Sequence, residues 1–302
     1  MKRRKILVSG LINIETTLRI ERFPLEYNPV NYPFFGVQST VSGVGFNVAK
    51  ALKALGEKVE FLSLTGLDPS GDLVESELAR DGIDGKYVLR RIGKTAQSVI
   101  LYENGGRRQI HVDLKNLQET PYPEAVFGEA LSGTKIAALC NINFSRAMLP
   151  KVKAAGIPVA TDVHVLSDVR DSYNADFMAA SDWLFLSNER CVGWESDLAR
   201  QLLEVYSCRA VVVGMGGEGV LLAKRGEKPL VIEARAMRPI VNTIGAGDAL
   251  FSAFLHGVAN GLDEEASLRR AVVFAGWKIG EKGAADGFLS AEELEEKFST
   301  AK

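Results

Sequence analysis

Residues 242–248 read Asn-Thr-Ile-Gly-Ala-Gly-Asp and run straight into an apolar stretch, 249–255. Small residues followed by an acid at a helix start aim backbone N–H groups at an anion. With no bulk at Gly245, Ala246 and Gly247, a phosphate can reach the main chain, and the helix dipole favours its charge. Asp248 is the odd member, because an anion repels a neighbouring carboxylate. A hydroxyl held between Asp248 and a phosphoryl group would lose its proton to the acid while the amides of 245–247 stabilise the developing charge. The chemistry implied is phosphoryl transfer. The plainer alternative is a glycine-rich turn ahead of a buried helix, since short glycine motifs recur for many reasons.

A second stretch, 42–66, alternates Gly43, Gly45, Asn47 and Ala49, reaches Gly56, and ends where Gly66-Leu67-Asp68-Pro69-Ser70-Gly71 begins. Gly43 and Gly45 would let a polyol lie against the backbone, and the Asn47 amide can give and take hydrogen bonds with vicinal hydroxyls. The alternative is a tight turn with Asn47 as N-cap of the helix that follows.

Both stretches need a scaffold, and the chain alternates apolar runs of strand length with helical patterns. Residues 5–9, 59–64, 136–140, 158–161, 183–186 and 210–214 read as buried strands, several Val- or Leu-rich enough for a sheet covered on both faces. Val48, Leu52 and Leu55 fall on one face of a helix stopping at Gly56, and Leu198, Leu202 and Val205 on one face of another. This rhythm predicts an α/β fold: a doubly wound, mostly parallel sheet with helices on both faces and ligands beyond the carboxyl ends of its strands. Segments 13–35 and 95–113 break the rhythm. They read as short strands, including a hairpin turning at Asn104-Gly105-Gly106, and predict a small β-sheet appended to a main unit of 1–12, 36–94 and 114–302.

Composition narrows the function classes. Across 302 residues, 36 Lys and Arg against 38 acids give a net charge of −2 without long single-sign blocks, so neither nucleic acid nor an anionic membrane is an expected partner. Cys140, Cys191 and Cys208 are far apart and form no C-x-x-C pair, which points to a reducing, cytoplasmic setting and away from a thiolate metal site. The basic start precedes only a short apolar segment, 6–8, too brief for a signal core or membrane span.

The glycine and Asn spacing of 43–71 and the 242–248 stretch, about two hundred residues apart and in this order, together resemble both signature patterns of the ribokinase, or PfkB, family of carbohydrate kinases. The resemblance spans essentially the whole chain. It implies a ribokinase-like fold, an ATP-dependent transfer of the γ-phosphoryl group to a primary hydroxyl of a sugar or nucleoside, and Mg²⁺ bridging the nucleotide oxygens. Asn13 and Glu15 match an Asn and an Asp that hold sugar hydroxyls. Glu15, one methylene longer, either reaches a shifted sugar or is a solvated lid residue. ATP phosphates are expected over Thr243 to Asp248, and the nucleoside along Gly214, Gly216 and Gly219 with Gly283-Ala284 near the base.

Asn188 matches the Asn of an Asn-x-x-Glu motif whose Glu is replaced by Cys191, and Asn242 stands where Asp is usual, which puts a monovalent-cation site in question. The metal ligands themselves are not assigned. The small sheet is expected to close as a lid that excludes water and pairs with a second copy in a homodimer. Arg107, Arg108 and His111 are its candidate contacts to substrate or partner, while His164 and His256 receive no role. Val44 and Asn242 lean towards pseudouridine-kinase-like members, with Phe34, Phe35 and Phe46 as candidates to stack on a base. A glycine-fingerprint oxidoreductase is disfavoured because 43–48 lacks the third glycine and comes too late. The competing class is a non-catalytic sugar or nucleoside sensor on the same fold, suggested by Cys191 and opposed by Asp248.

Overall fold

The computed structural model of this chain describes residues 5–103 and 107–300. The basic start at 1–4 and the expected Asn104-Gly105-Gly106 turn lie outside them. The chain opens with β1 (Lys5–Ser9), β2 (Asn13–Arg19), β3 (Val37–Ser42) and α1 (Val44–Ala54), followed by β4 (Val59–Gly66), α2 (Pro69–Arg80) and β5 (Val88–Ile92). The strands β6 (Gln97–Tyr102) and β7 (Arg108–Asp113) lead to α3 (Glu124–Leu131), β8 (Thr134–Leu139), α4 (Asn143–Arg146), α5 (Leu149–Ala154), β9 (Val159–Val165), α6 (Ala175–Ala180) and β10 (Trp183–Ser187). Last come α7 (Glu195–Val205), β11 (Ala210–Gly214), β12 (Val220–Lys224), β13 (Leu230–Ile232), α8 (Ala246–Ala259), α9 (Glu264–Lys278) and α10 (Ala291–Thr300).

Every residue of β1 is buried, with Ile6 and Val8 in one core and Leu7 in the other, the period-two pattern of a strand covered on both sides. β1 lies between β4 and β8, parallel to both. The nine-stranded sheet runs β13-β12-β11-β10-β9-β8-β1-β4-β5, with only its β12 and β13 edge antiparallel. Because the chain winds outward on one side of β1 and then on the other, the carboxyl ends of β1 and β8 border the cleft where such sheets bind ligands. In α7 the buried stripe is Leu198, Ala199, Leu202 and Leu203, and Val205, expected on it, lies in the last turn half-exposed.

A separate four-stranded sheet, β3-β2-β6-β7, forms the lid. It includes Val37–Ser42, which the sequence boundaries left in the main unit. The polar run Gln38-Ser39-Thr40 hides a strand whose antiparallel register, Asn13↔Ser42 to Leu18↔Val37, is set by its partner rather than by its own pattern. The Gly66–Gly71 stretch leads from β4 of the main sheet into α2. Asp68 caps α2 by accepting from the Gly71 amide and also receives the Thr95 amide and hydroxyl, just ahead of β6.

Candidate active site

Gly245, at φ +78°, stops the incoming chain in the left-handed region and starts α8, so the acid at 248 falls within the first turn. The Ala246 amide donates to the Thr243 carbonyl at 3.2 Å and closes the loop, which removes it from the set of amides expected to meet an anion. Among the described residues no acceptor pairs with the amides of Gly245 and Gly247, and the space beside Gly247 is open. The Asn242 side chain braces this loop from both ends, its Oδ1 accepting from Ile244 N and its Nδ2 donating to the Lys282 carbonyl at 2.6 Å. Gly283 and Ala284 lie beneath, with Ala284 packed against Ile244.

The two glycine stretches meet side chain to side chain. Asn47 Nδ2 donates to Asp248 Oδ2 at 2.7 Å. Asn47 is therefore not the N-cap of α1, a place taken by Gly43. Gly45 serves packing more than ligand approach: it is buried, and a Cβ there would sit 2.5 Å from the Gly10 backbone at the end of β1. Asp248 is partly buried, and desolvation, ahead of all other influences, holds its carboxyl above the usual range against the Asn47 hydrogen bond.

The lid brings Asn13 and Glu15 to the same place. Asn13 Nδ2 donates to Ser98 Oγ at 3.0 Å, while its Oδ1 is buried with no partner among the described residues. Glu15 is only 8% exposed, which excludes the solvated-lid alternative. Burial raises its carboxyl to about 7, with the Ser42 hydroxyl 3.3 Å away opposing and the Asp248 charge adding to the rise. Ile100 from β6 packs on Ile244 and Ala284, and Arg108 from β7 donates to Thr243 Oγ1 at 3.0 Å, so the lid rests on the anion loop. Arg107 instead pairs with Glu103 within the lid, and His111 faces outward beside Val99.

The remaining expected residues divide. Asn188 follows β10 and donates from Nδ2 to Glu195 Oε1 at 2.8 Å, so a carboxylate does stand beside it, from α7 rather than from the buried Cys191. Gly214 ends β11 and Gly216 borders open space, but a side chain at Gly219 would sit 2.1 Å from the Ile232 carbonyl, which ties that glycine to the β12–β13 joint. Phe46 is fully buried in the core beneath Lys50, and Phe34 and Phe35 point outward, 76% and 106% exposed. None of the three lines a base pocket. Sequence reasoning also missed His164. It lies next to the end of β9 at φ +62°, strained for a non-glycine, and it is a neighbour of Asp248 together with Asp162.

Comparison with known proteins bears on this arrangement. Residues 3–291 match the pfkB family carbohydrate kinases. The chain belongs to that family. It is 24% identical over 266 residues to the acarbose 7(IV)-phosphotransferase of an Actinoplanes species, covering 87% of this chain and 88% of the relative. It is 26% identical over 304 residues to the ribokinase of Arabidopsis thaliana, covering 92% and 77%. Among solved structures, a microbiome-derived acarbose kinase superposes with a TM-score of 0.87 at 24% identity over 99% of this chain and all of that one. A nucleoside kinase of Burkholderia thailandensis in complex with inosine gives 0.82 at 18% identity, over 98% of each chain. The pfkB kinase described here is thus a sugar or nucleoside phosphotransferase with a ribokinase-like fold. Among the described residues no helix is long and apolar enough to cross a membrane, and no group of three His, Cys, Asp or Glu is placed to hold a metal.

Proposed function

We propose that this kinase transfers the γ-phosphoryl group of ATP to a primary hydroxyl of a carbohydrate, with Asp248 as general base. The observation that carries the reading is the Asp248 carboxylate, gripped by Asn47 at 2.7 Å in the first turn of a helix at whose start the Gly245 and Gly247 amides are unpaired among the described residues. A carboxyl raised by burial is a better proton acceptor near neutral pH than a solvated one. The amides of Gly245 and Gly247 take the charge of the transferring group, with Thr243 at the nucleotide side and Gly214, Gly216 and Gly283 along the nucleoside. Mg²⁺, when bound, neutralises the phosphate oxygens, and Asn188 with Glu195 would hold it. The lid contacts made by Ile100 and Arg108 keep water from the reacting atoms.

Asn13, Glu15 and Asn47 offer polar atoms for acceptor hydroxyls, while Ile110 and Val112 share the inner lid face with Ile100 and Ser98. A sugar is favoured over a nucleoside because the aromatic residues that would have stacked on a base are in the core or turned outward. The sensor alternative loses its motive, since Glu195 supplies the carboxylate missing at Cys191. The test is Mg²⁺-dependent ATP consumption with ribose, fructose, acarbose, inosine and pseudouridine, each product weighed for one added phosphate. A sugar phosphate supports the reading. A nucleoside phosphate overturns the acceptor class, and no phosphorylated product overturns the kinase assignment. Val37 and Val99, exposed on the outer lid face, support a homodimer through that face; sedimentation of a monomer at micromolar concentration would exclude it.

A further inference from the structure

A fully buried lysine lies under the anion loop. Lys278, the last residue of α9, is 0% exposed and its Nζ donates to the Ile244 carbonyl. An ammonium withdrawn from water is costly unless its charge is used, and burial depresses this one to about 8 in spite of the carboxylates of Asp248, Asp286, Glu15 and Glu281 around it.

The neighbouring carbonyls show what that charge replaces. A free monovalent cation needs several oxygens turned inward with no donor among them. Here three carbonyl oxygens beneath the loop are already capped. Ile244 O takes the Lys278 ammonium, Lys282 O takes Asn242 Nδ2 at 2.6 Å, and Ile279 O takes the amides of Val241 and Asn242 at 2.9 and 3.2 Å. A free monovalent cation does not fit these residues.

We propose that Lys278 is the resident cation of the anion loop: tethered from α9, it holds the Ile244 carbonyl on the buried side so that the amides of Gly245 and Gly247 face the phosphate, and it makes the kinase independent of any free monovalent cation. This inference rests on the reading of 242–248 as a phosphate loop. The single charge acts in two directions. Through the backbone it sets the loop, and through space it favours the ionised form of Asp248, whose other charged or titratable neighbours are Glu15 on β2, Cys140 after β8, and Asp162 and His164 on β9. Lys278 is a positioning residue in this account. It touches neither the nucleotide nor the acceptor.

The experiment is calorimetric binding of the non-hydrolysable analogue AMP-PCP with Mg²⁺, in potassium chloride and in tetramethylammonium chloride at equal ionic strength. The wild-type protein is expected to bind equally in both salts. Lys278→Ala is expected to bind about tenfold more weakly, the size of a lost charged hydrogen bond, and to recover in potassium or ammonium chloride as a small cation enters the vacated space. Wild-type binding strengthened by potassium overturns the proposal even when the variant cannot be folded. So does a folded variant with unchanged affinity, or one that no cation rescues, which would mark a structural lysine only. Absence of wild-type binding in both salts removes the phosphate-loop reading itself, and the proposal with it.

Discussion

Helices α1 and α8 touch at both ends, and the two contacts have opposite electrostatics. At their starts, beyond the carboxyl ends of the strands, Asn47 holds Asp248, and desolvation keeps that carboxyl above its usual range. At their far ends Glu57, just past α1, meets His256 Nδ1 at 2.9 Å, Asn260 at 2.7 Å and Lys135 of β8 at 3.0 Å. Burial alone would raise Glu57 too, but these three hydrogen bonds override it and bring the carboxyl to about 2. One helix pair therefore carries a fully partnered carboxylate at the bottom of the sheet and an under-partnered one at the top. The partnered acid stabilises the fold; the under-partnered one is left able to take a proton.

The sharpest way to break this comparison is to neutralise both acids in turn. Asp248→Asn keeps the shape and a hydrogen bond to Asn47 while removing the proton acceptor. Its kcat, measured by ADP release on the best acceptor, is expected to fall about 10²- to 10⁴-fold, with no loss in Tm. A variant that keeps near wild-type kcat would remove Asp248 as base. Glu57→Gln should do the reverse. Its pKa is lowered from 4.5 to about 2, so the stability it contributes is present above 4.5 and lost as pH falls through 2. That shift corresponds to about 3 kcal/mol at neutral pH, so the variant is expected to lose roughly 5 °C in Tm with kcat unchanged. The difference from wild type should shrink steadily in scans carried from pH 5 down to pH 3 and close only near pH 2, where the folded wild-type protein also loses the charge.

The two ends also differ in how far they could be read from sequence. The loop at 242–248 and the alternation at 43–49 were legible because their signals are local: small residues at a helix start, then an acid. The buried strands were legible by their apolar runs. Glu57 and His256 lie 199 residues apart, and nothing near either one names its partner. Arg108 on Thr243 is hidden in the same way, by 135 residues. Phe46 misled because an aromatic beside a glycine motif reads equally as ligand platform or core, and only packing decides. One signal was available and unused: the single Lys278 in the otherwise apolar stretch 271–279. His164 left no trace in the sequence, since its strain is a property of backbone geometry.

A finer test lies within the upper cluster. Ser42 Oγ is 3.3 Å from both Glu15 Oε2 and Asn47 Oδ1, and the Asn47 amide is oriented by its Nδ2 bond to Asp248. One hydroxyl proton cannot serve two bare acceptors. If Glu15 carries a proton, it donates to Ser42, Ser42 donates to Asn47, and Asn47 donates to Asp248, so every group is satisfied. The folded-state pKa of about 7 lies above the ordinary 4.5, so the stability associated with Glu15 is full below 4.5 and lost as pH rises through 7. Gln at this position mimics the protonated acid at every pH. Glu15→Gln is therefore expected to match wild type in Tm at pH 5 and to exceed it by a few degrees, about 2–4 °C, at pH 8. Equal melting temperatures across that range would mean that Glu15 is ionised throughout, and that the upper cluster holds two charged carboxylates against Lys278 instead of one.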